Sequence, residues 1–132
     1  MSTESDDNSE STLYDRVGGE EGIRRLVGNF YDAVFADQKL AHFFRGVPVE
    51  KLRRMQIELF TSALDGPVTY GGRPLSHAHH GLGIGPHDMK RFVDHLFETL
   101  EDFEISDQDR NEIISRINTM ADEIMGEGGL DA

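Results

Sequence analysis

Asp65-Gly66-Pro67-Val68-Thr69-Tyr70-Gly71-Gly72-Arg73-Pro74-Leu75-Ser76-His77-Ala78-His79-His80-Gly81-Leu82-Gly83-Ile84-Gly85-Pro86 is a stretch in which no long helix survives. Its glycines and prolines punctuate the backbone every few residues. On both sides of it the sequence turns helical. Upstream, Ile23, Leu26, Val27, Phe30, Val34 and Phe35 recur at steps of three and four, one face of a helix. Leu40-Ala41-His42-Phe43-Phe44 forms a compact piece closed by Gly46. Pro48 opens the next helix, where its missing N–H costs nothing, and the apolar face is Val49, Leu52, Leu59, Phe60 and Ala63. Downstream, Met89, Phe92, Val93, Leu96, Phe97, Leu100 and Phe103 mark one helix. Ser106 caps another that carries Ile113, Ile114, Ile117, Met120, Ala121 and Ile124. Before all of these, Thr12 with Asp15 three residues on caps a short first helix that stops at Gly18-Gly19.

The expected fold class is therefore all-α. Four substantial helices flank one long glycine-rich segment. No repeat and no convincing strand is visible. A structureless segment of that length inside a compact domain is usually functional or disordered. This one holds a histidine cluster, which favours function.

The bulk composition narrows the chemistry. A chain of 132 residues suits one domain, expected over 12–125. The polar, acidic start is expected to be a disordered tail over 1–11, and the glycine-rich end a flexible tail over 126–132. The chain has no cysteine, which excludes disulfides, thiolate metal sites, nucleophilic thiols and Cys-x-x-Cys-His haem attachment. Thirteen basic residues face 25 acidic ones, a net charge of −12. A field of that sign repels nucleic acid and anionic membranes, so neither is an expected partner. Only Lys39, Lys51 and Lys90 are lysines; an acidic, lysine-poor surface suits a salt-rich interior, which points to a halophilic microbe. No apolar run is long enough to span a bilayer, and the start lacks a signal sequence, so the expected location is the cytoplasm. A monomer or weak dimer is expected.

Two residues break the apolar pattern. Gln56 lies four after Leu52 and three before Leu59. A buried glutamine amide must be paired or it costs a few kcal/mol. Tyr31 lies beside Phe30 on the inner face, and its hydroxyl needs a partner as well. Each alone is compatible with a bond to a backbone carbonyl. Together they point to polar groups aimed at a ligand in an apolar pocket. The histidines are His42, His77, His79, His80, His87 and His95, four of them within residues 77–87. Solvated loop histidines and a zinc or nickel site are alternatives. Carboxylates near His77 and His80 are scarce for zinc, and a single imidazole in an apolar pocket suits haem.

With these residues assembled, the chain resembles a truncated haemoglobin of the group I type, from about Leu13 to Met125. The resemblance rests on an ordered set of motifs. They are Leu13-Tyr14-x-x-Val17-Gly18-Gly19, Phe30-Tyr31, Leu40-Ala41-x-Phe43-Phe44 and Leu52-x-x-x-Gln56. Tyr70-x-Gly72-x-Pro74-Leu75 and His79-x-Gly81-x-Gly83-Ile84 complete it. It implies a truncated globin fold, a two-over-two helical sandwich around non-covalent haem b. It assigns the proximal iron ligand to His79, whose separation from Gly81 and Ile84 matches the signature where His77 and His80 do not. It makes Tyr31 and Gln56 the distal polar pair, with Leu52 where many globins use histidine. Phe44 wedges against the haem ring, and Phe60, Leu75, Ile84, Met89 and Phe92 wall it. Group I members often carry a basic residue at the position of Met55, which reaches a propionate; here Arg53, Arg54, Arg73 and His77 are the candidates to replace it. The implied ligands are oxygen, nitric oxide or carbon monoxide. The implied role is to bind, carry, store or sense oxygen. The alternative is a nitric oxide dioxygenase that makes nitrate, which needs an external reductase as partner.

Overall fold

The computed structural model describes residues 11–68 and 83–120, and every described element is helical. In chain order these are α1 (Leu13–Arg16), α2 (Gly19–Ala36) and α3 (Gln38–Ala41), then a 3-10 turn (His42–Phe44). After it come α4 (Val49–Ala63), α5 (Pro86–Leu100) and α6 (Asp107–Thr119). The tails expected over 1–11 and 126–132 lie, apart from Ser11, outside the described residues, as do Arg73, Leu75, His77, His79 and His80.

Local chemistry sets the helix ends. The Asp15 N–H donates to Thr12 Oγ1 at 3.0 Å, and Asp15 Oδ2 accepts from the Thr12 N–H at 3.3 Å, a reciprocal cap for α1. The turn into α2 uses Gly18 at φ 113°, a backbone state that disfavours any side chain. Gly22 sits where α2 presses on that turn: a Cβ there would lie 2.0 Å from the Val17 carbonyl oxygen. Pro48 precedes α4 as its cap rather than forming its first residue, and its carbonyl accepts from the Leu52 N–H at 3.0 Å. Pro86 opens α5, and Ser106 Oγ accepts from the Asp109 N–H at 3.0 Å to cap α6.

The core follows the helical stripes. Ile23, Leu26, Val27, Phe30 and Val34 of α2 are fully buried. They meet Phe60 and Leu64 from the α4 end, and Leu96 and Leu100 from α5. Ile113 and Ile117 of α6 complete the cluster. α2 packs on both α4 and α5, and α5 packs on α6, so the pair α2–α4 lies over the pair α5–α6. The two layers are tied at one end by Arg116 of α6. Its guanidinium donates to the Ala63 carbonyl and to Asp65, both at 2.9 Å, and to Glu112 at 3.1 Å.

Two residues of the expected apolar faces lie outside. Val49 is 47% exposed, because it is the first residue of α4 and precedes the buried stripe. Phe97 is 36% exposed, one residue past the stripe of Met89, Leu96 and Leu100; the Arg110 guanidinium lies 5.6 Å from its ring centre. Phe103 leaves α5 but stays buried, with the Arg25 guanidinium 4.2 Å over its ring.

Asp37 joins α2, α3 and α5. Its Oδ1 accepts from the Lys39 N–H at 2.9 Å and caps α3. Its buried Oδ2 accepts from Arg91 Nε at 3.0 Å and from His95 Nε2 at 2.8 Å. The His95 bond first, then the Lys39 N–H and Arg91, outweigh burial and hold the carboxyl at about 2, against 3.8 ordinarily. The folded value lies below the unfolded one. The stability from ionised Asp37 is therefore complete above about 3.8 and lost as pH falls through about 2. Urea unfolding from pH 5 to 2 is expected to show a steeper decline in the native chain than in Asp37→Asn. Parallel curves would remove this account of the cluster.

Candidate functional site

A cavity opens between α2, the α3 corner, α4, α5 and α6. Its lining is mostly apolar and aromatic with a few polar groups, the make-up of small-molecule and cofactor sites. Each element contributes by its own periodicity. α2 supplies Tyr31, one residue past the core residue Phe30. The 3-10 turn supplies Phe43 and Phe44. α4 supplies Leu52, Gln56, Leu59 and Phe60, at i, i+4, i+7 and i+8 of one face. Met89 and Phe92 come from α5.

The walls are apolar, with three polar side chains among them: Tyr31, Gln56 and Asp88. Asp88 Oδ2 is occupied, accepting from the Gly85 N–H at 3.0 Å where the chain enters α5. Tyr31 and Gln56 are different, since neither side-chain polar group has a hydrogen-bond partner among the described residues. The Tyr31 ring is clamped edge-on by Phe30 at 4.9 Å, Phe44 at 5.9 Å and Phe92 at 6.1 Å, with Phe35 tilted against it at 5.8 Å. Burial pushes its phenol well above the ordinary value of 10.0, so the hydroxyl stays a protonated donor at any physiological pH.

Eight of the ten described residues expected at the site line this cavity: Tyr31, Phe44, Leu52, Gln56, Phe60, Ile84, Met89 and Phe92. Arg53 and Arg54 do not line it; both are exposed on the outer side of α4. Leu75, Arg73, His77 and His79 lie outside the described residues. Leu40, Phe43, Leu59, Asp88, Ile117 and Met120 also line the cavity and were not singled out from sequence. Leu59 and Ile117 had a signal, their place on an apolar stripe, but a stripe does not separate wall from core. Asp88 had none.

An apolar cleft, boxed by aromatic rings and holding two polar side chains without partners among the described residues, fits a flat hydrophobic cofactor with a small polar ligand on one face. Together with the two-over-two helical sandwich, it defines a globin. The chain belongs to the bacterial-like globin family, whose model matches residues 12–126. Within that family it is a truncated globin of group I. It is 38% identical over 120 residues to a group 1 truncated hemoglobin of Mycolicibacterium paratuberculosis, covering 90% of this chain and 88% of that one. It is 30% identical over 115 residues to one from a Nostoc species, covering 87% and 98%. The crystal structure of truncated hemoglobin from Tetrahymena pyriformis in its Fe(III) form superposes with a TM-score of 0.83 at 28% identity, covering 88% of this chain and 99% of that one. The cofactor is accordingly a haem iron, and the ligands of the fold are diatomic gases.

Proposed function

We propose that this globin binds oxygen reversibly, with His79 as the proximal ligand to a non-covalent haem b and Tyr31 and Gln56 facing the gas. When bound, the haem supplies an iron with one open coordination position, chemistry that no side chain here provides. The observation that carries the reading is Tyr31, which lines an apolar pocket and whose hydroxyl has no hydrogen-bond partner among the described residues.

The chain's own groups then divide the work. His79 would hold the iron as neutral imidazole, which leaves its other ring N–H free to donate a hydrogen bond that orients the ring. Tyr31 donates to the outer atom of the gas. The Gln56 amide donates to the gas as well or accepts from the tyrosine. Leu52, Phe44 and Phe92 keep water from competing for those bonds, and a bond in so apolar a place is strengthened. Among diatomics, oxygen gains most, because charge accumulates on its outer atom.

The test is a spectrum followed by a titration. The reduced, haem-loaded protein is expected to form a stable oxygenated spectrum that reverts on removal of oxygen. Nitric oxide is then mixed with the oxygenated form while reduction is maintained. A single stoichiometric reaction fits holding. Continuous loss of nitric oxide with nitrate accumulating would overturn holding in favour of a dioxygenase.

A further inference from the structure

Among the described residues, the cations of this acidic chain fall into three groups. Arg16, Arg24, Lys90, Arg91, Arg110 and Arg116 each hold a carboxylate within 3.2 Å. Arg25 lies against the Phe103 ring. The others are Lys39, Arg45, Lys51, Arg53 and Arg54, which have no carboxylate partner among the described residues and are all exposed. Every one falls between residues 39 and 54, where Glu50 is the sole acid. A chain with 25 acidic and 13 basic residues has partners available for all of its cations, yet leaves five unpaired in one short segment.

That segment is also a wall of the cavity. Leu40, Phe43, Phe44, Leu52 and Gln56 line the pocket and alternate along the chain with the exposed cations. Positive charge therefore lies on the outer side of the same segment that walls the pocket. Oxygen binding, the role proposed above on which this inference rests, needs ferrous haem, so an electron must reach the site from a donor.

We propose that residues 39–54 are the docking face for a small acidic protein that carries a one-electron centre near its own surface. One electron leaves the partner's reduced centre and enters the ferric haem. The partner is oxidised by one equivalent, the haem becomes ferrous, and no bond or proton changes hands. Opposite charges steer the encounter and set its orientation. Contact pairs shielded from water in the docked state resist salt better than separated charges do. A long polyanion such as nucleic acid is a poorer fit, because it would also run along the acidic remainder of the surface.

The test uses the haem-loaded chain and a reduced, acidic [2Fe–2S] ferredoxin as probe. Binding is measured by calorimetry, and anaerobic reduction by stopped flow, each across a range of ionic strength. The triple variant Lys39→Glu, Arg45→Glu, Lys51→Glu is expected to weaken binding and slow reduction by at least about tenfold at low salt, with the salt dependence flattened. The control pair Arg24→Glu, Lys90→Glu, on other faces, is expected to change both by less than about twofold. Reduction by dithionite reports whether the haem itself is intact. Equal losses in both variants, or none in the triple variant, overturn the proposal. A triple variant that sheds haem but reduces normally per loaded molecule makes these cations propionate anchors and also overturns it. Binding of duplex DNA in preference to ferredoxin does the same. Failure of the oxygen-binding role is separate, since it shows as a missing oxygenated spectrum in the unaltered chain.

Discussion

His79→Gly is expected to lose its haem, while His77→Gly and His80→Gly keep theirs. The three histidines sit within four residues, so composition and local charge hardly distinguish them. What distinguishes them is the single axial bond that the family signature gives to His79. Even the partners of a metal ligand are worth about 10–100-fold in affinity, so losing the ligand itself is expected to cost at least about 100-fold. Because haem stabilises only the folded chain, that factor also removes about 2.7 kcal/mol of apparent stability at saturating haem. Haem transfer to an excess of apomyoglobin measures the affinity, and thermal unfolding at matched haem measures the linkage. Added imidazole is expected to restore a five-coordinate ferrous spectrum in the glycine variant, because the free ring replaces the one the substitution removed. If the His77 or His80 variant sheds haem instead, the proximal assignment moves with it.

The helices were legible because burial imposes a period. Ile23, Leu26, Val27, Phe30 and Val34 could be read as one face from spacing alone, and all five are fully buried. The caps were legible because Thr12 and Ser106 offer side-chain oxygens one step before their helices. What spacing could not show was where a stripe ends. Val49 continues the pattern of α4 in sequence but stands at its first residue, before the helix has come under cover. At the site, Tyr31 and Gln56 were visible as polar residues out of place. Asp37 was not, although it gathers Lys39, Arg91 and His95. Its partners on α5 are more than fifty residues away, and nothing local in an Asp-Gln-Lys sequence announces a buried carboxylate. The unpaired cations of residues 39–54 escaped notice for a similar reason. Their meaning lies in which of the other cations are already paired, and only three dimensions show that.

Tyr31→Phe is expected to weaken oxygen binding without weakening the haem-free fold. The substitution leaves the ring among Phe30, Phe35, Phe44 and Phe92 and deletes only the hydroxyl. In the proposed reading that hydroxyl would donate to oxygen, a net bond of about 1–1.4 kcal/mol, so the oxygen dissociation rate is expected to rise about five- to tenfold. Carbon monoxide, a weaker acceptor, is expected to leave at nearly its original rate. In the haem-free chain the Tyr31 side chain lines an apolar pocket, and no described residue bonds its hydroxyl. Removing a hydroxyl that gains no bond from the protein is expected to leave that state as stable as before, or more stable by up to about 1 kcal/mol. A tyrosine retained for structure gives the reverse stability result, because its hydroxyl would be bonded within the chain and its loss would destabilise. Stopped-flow oxygen release and urea unfolding of the haem-free protein therefore test one residue from two sides. An unchanged oxygen rate, or a less stable haem-free variant, would remove Tyr31 from the ligand's company. Faster release from an apoprotein that is no less stable would mean that the partner of the Tyr31 hydroxyl is the gas and not the protein.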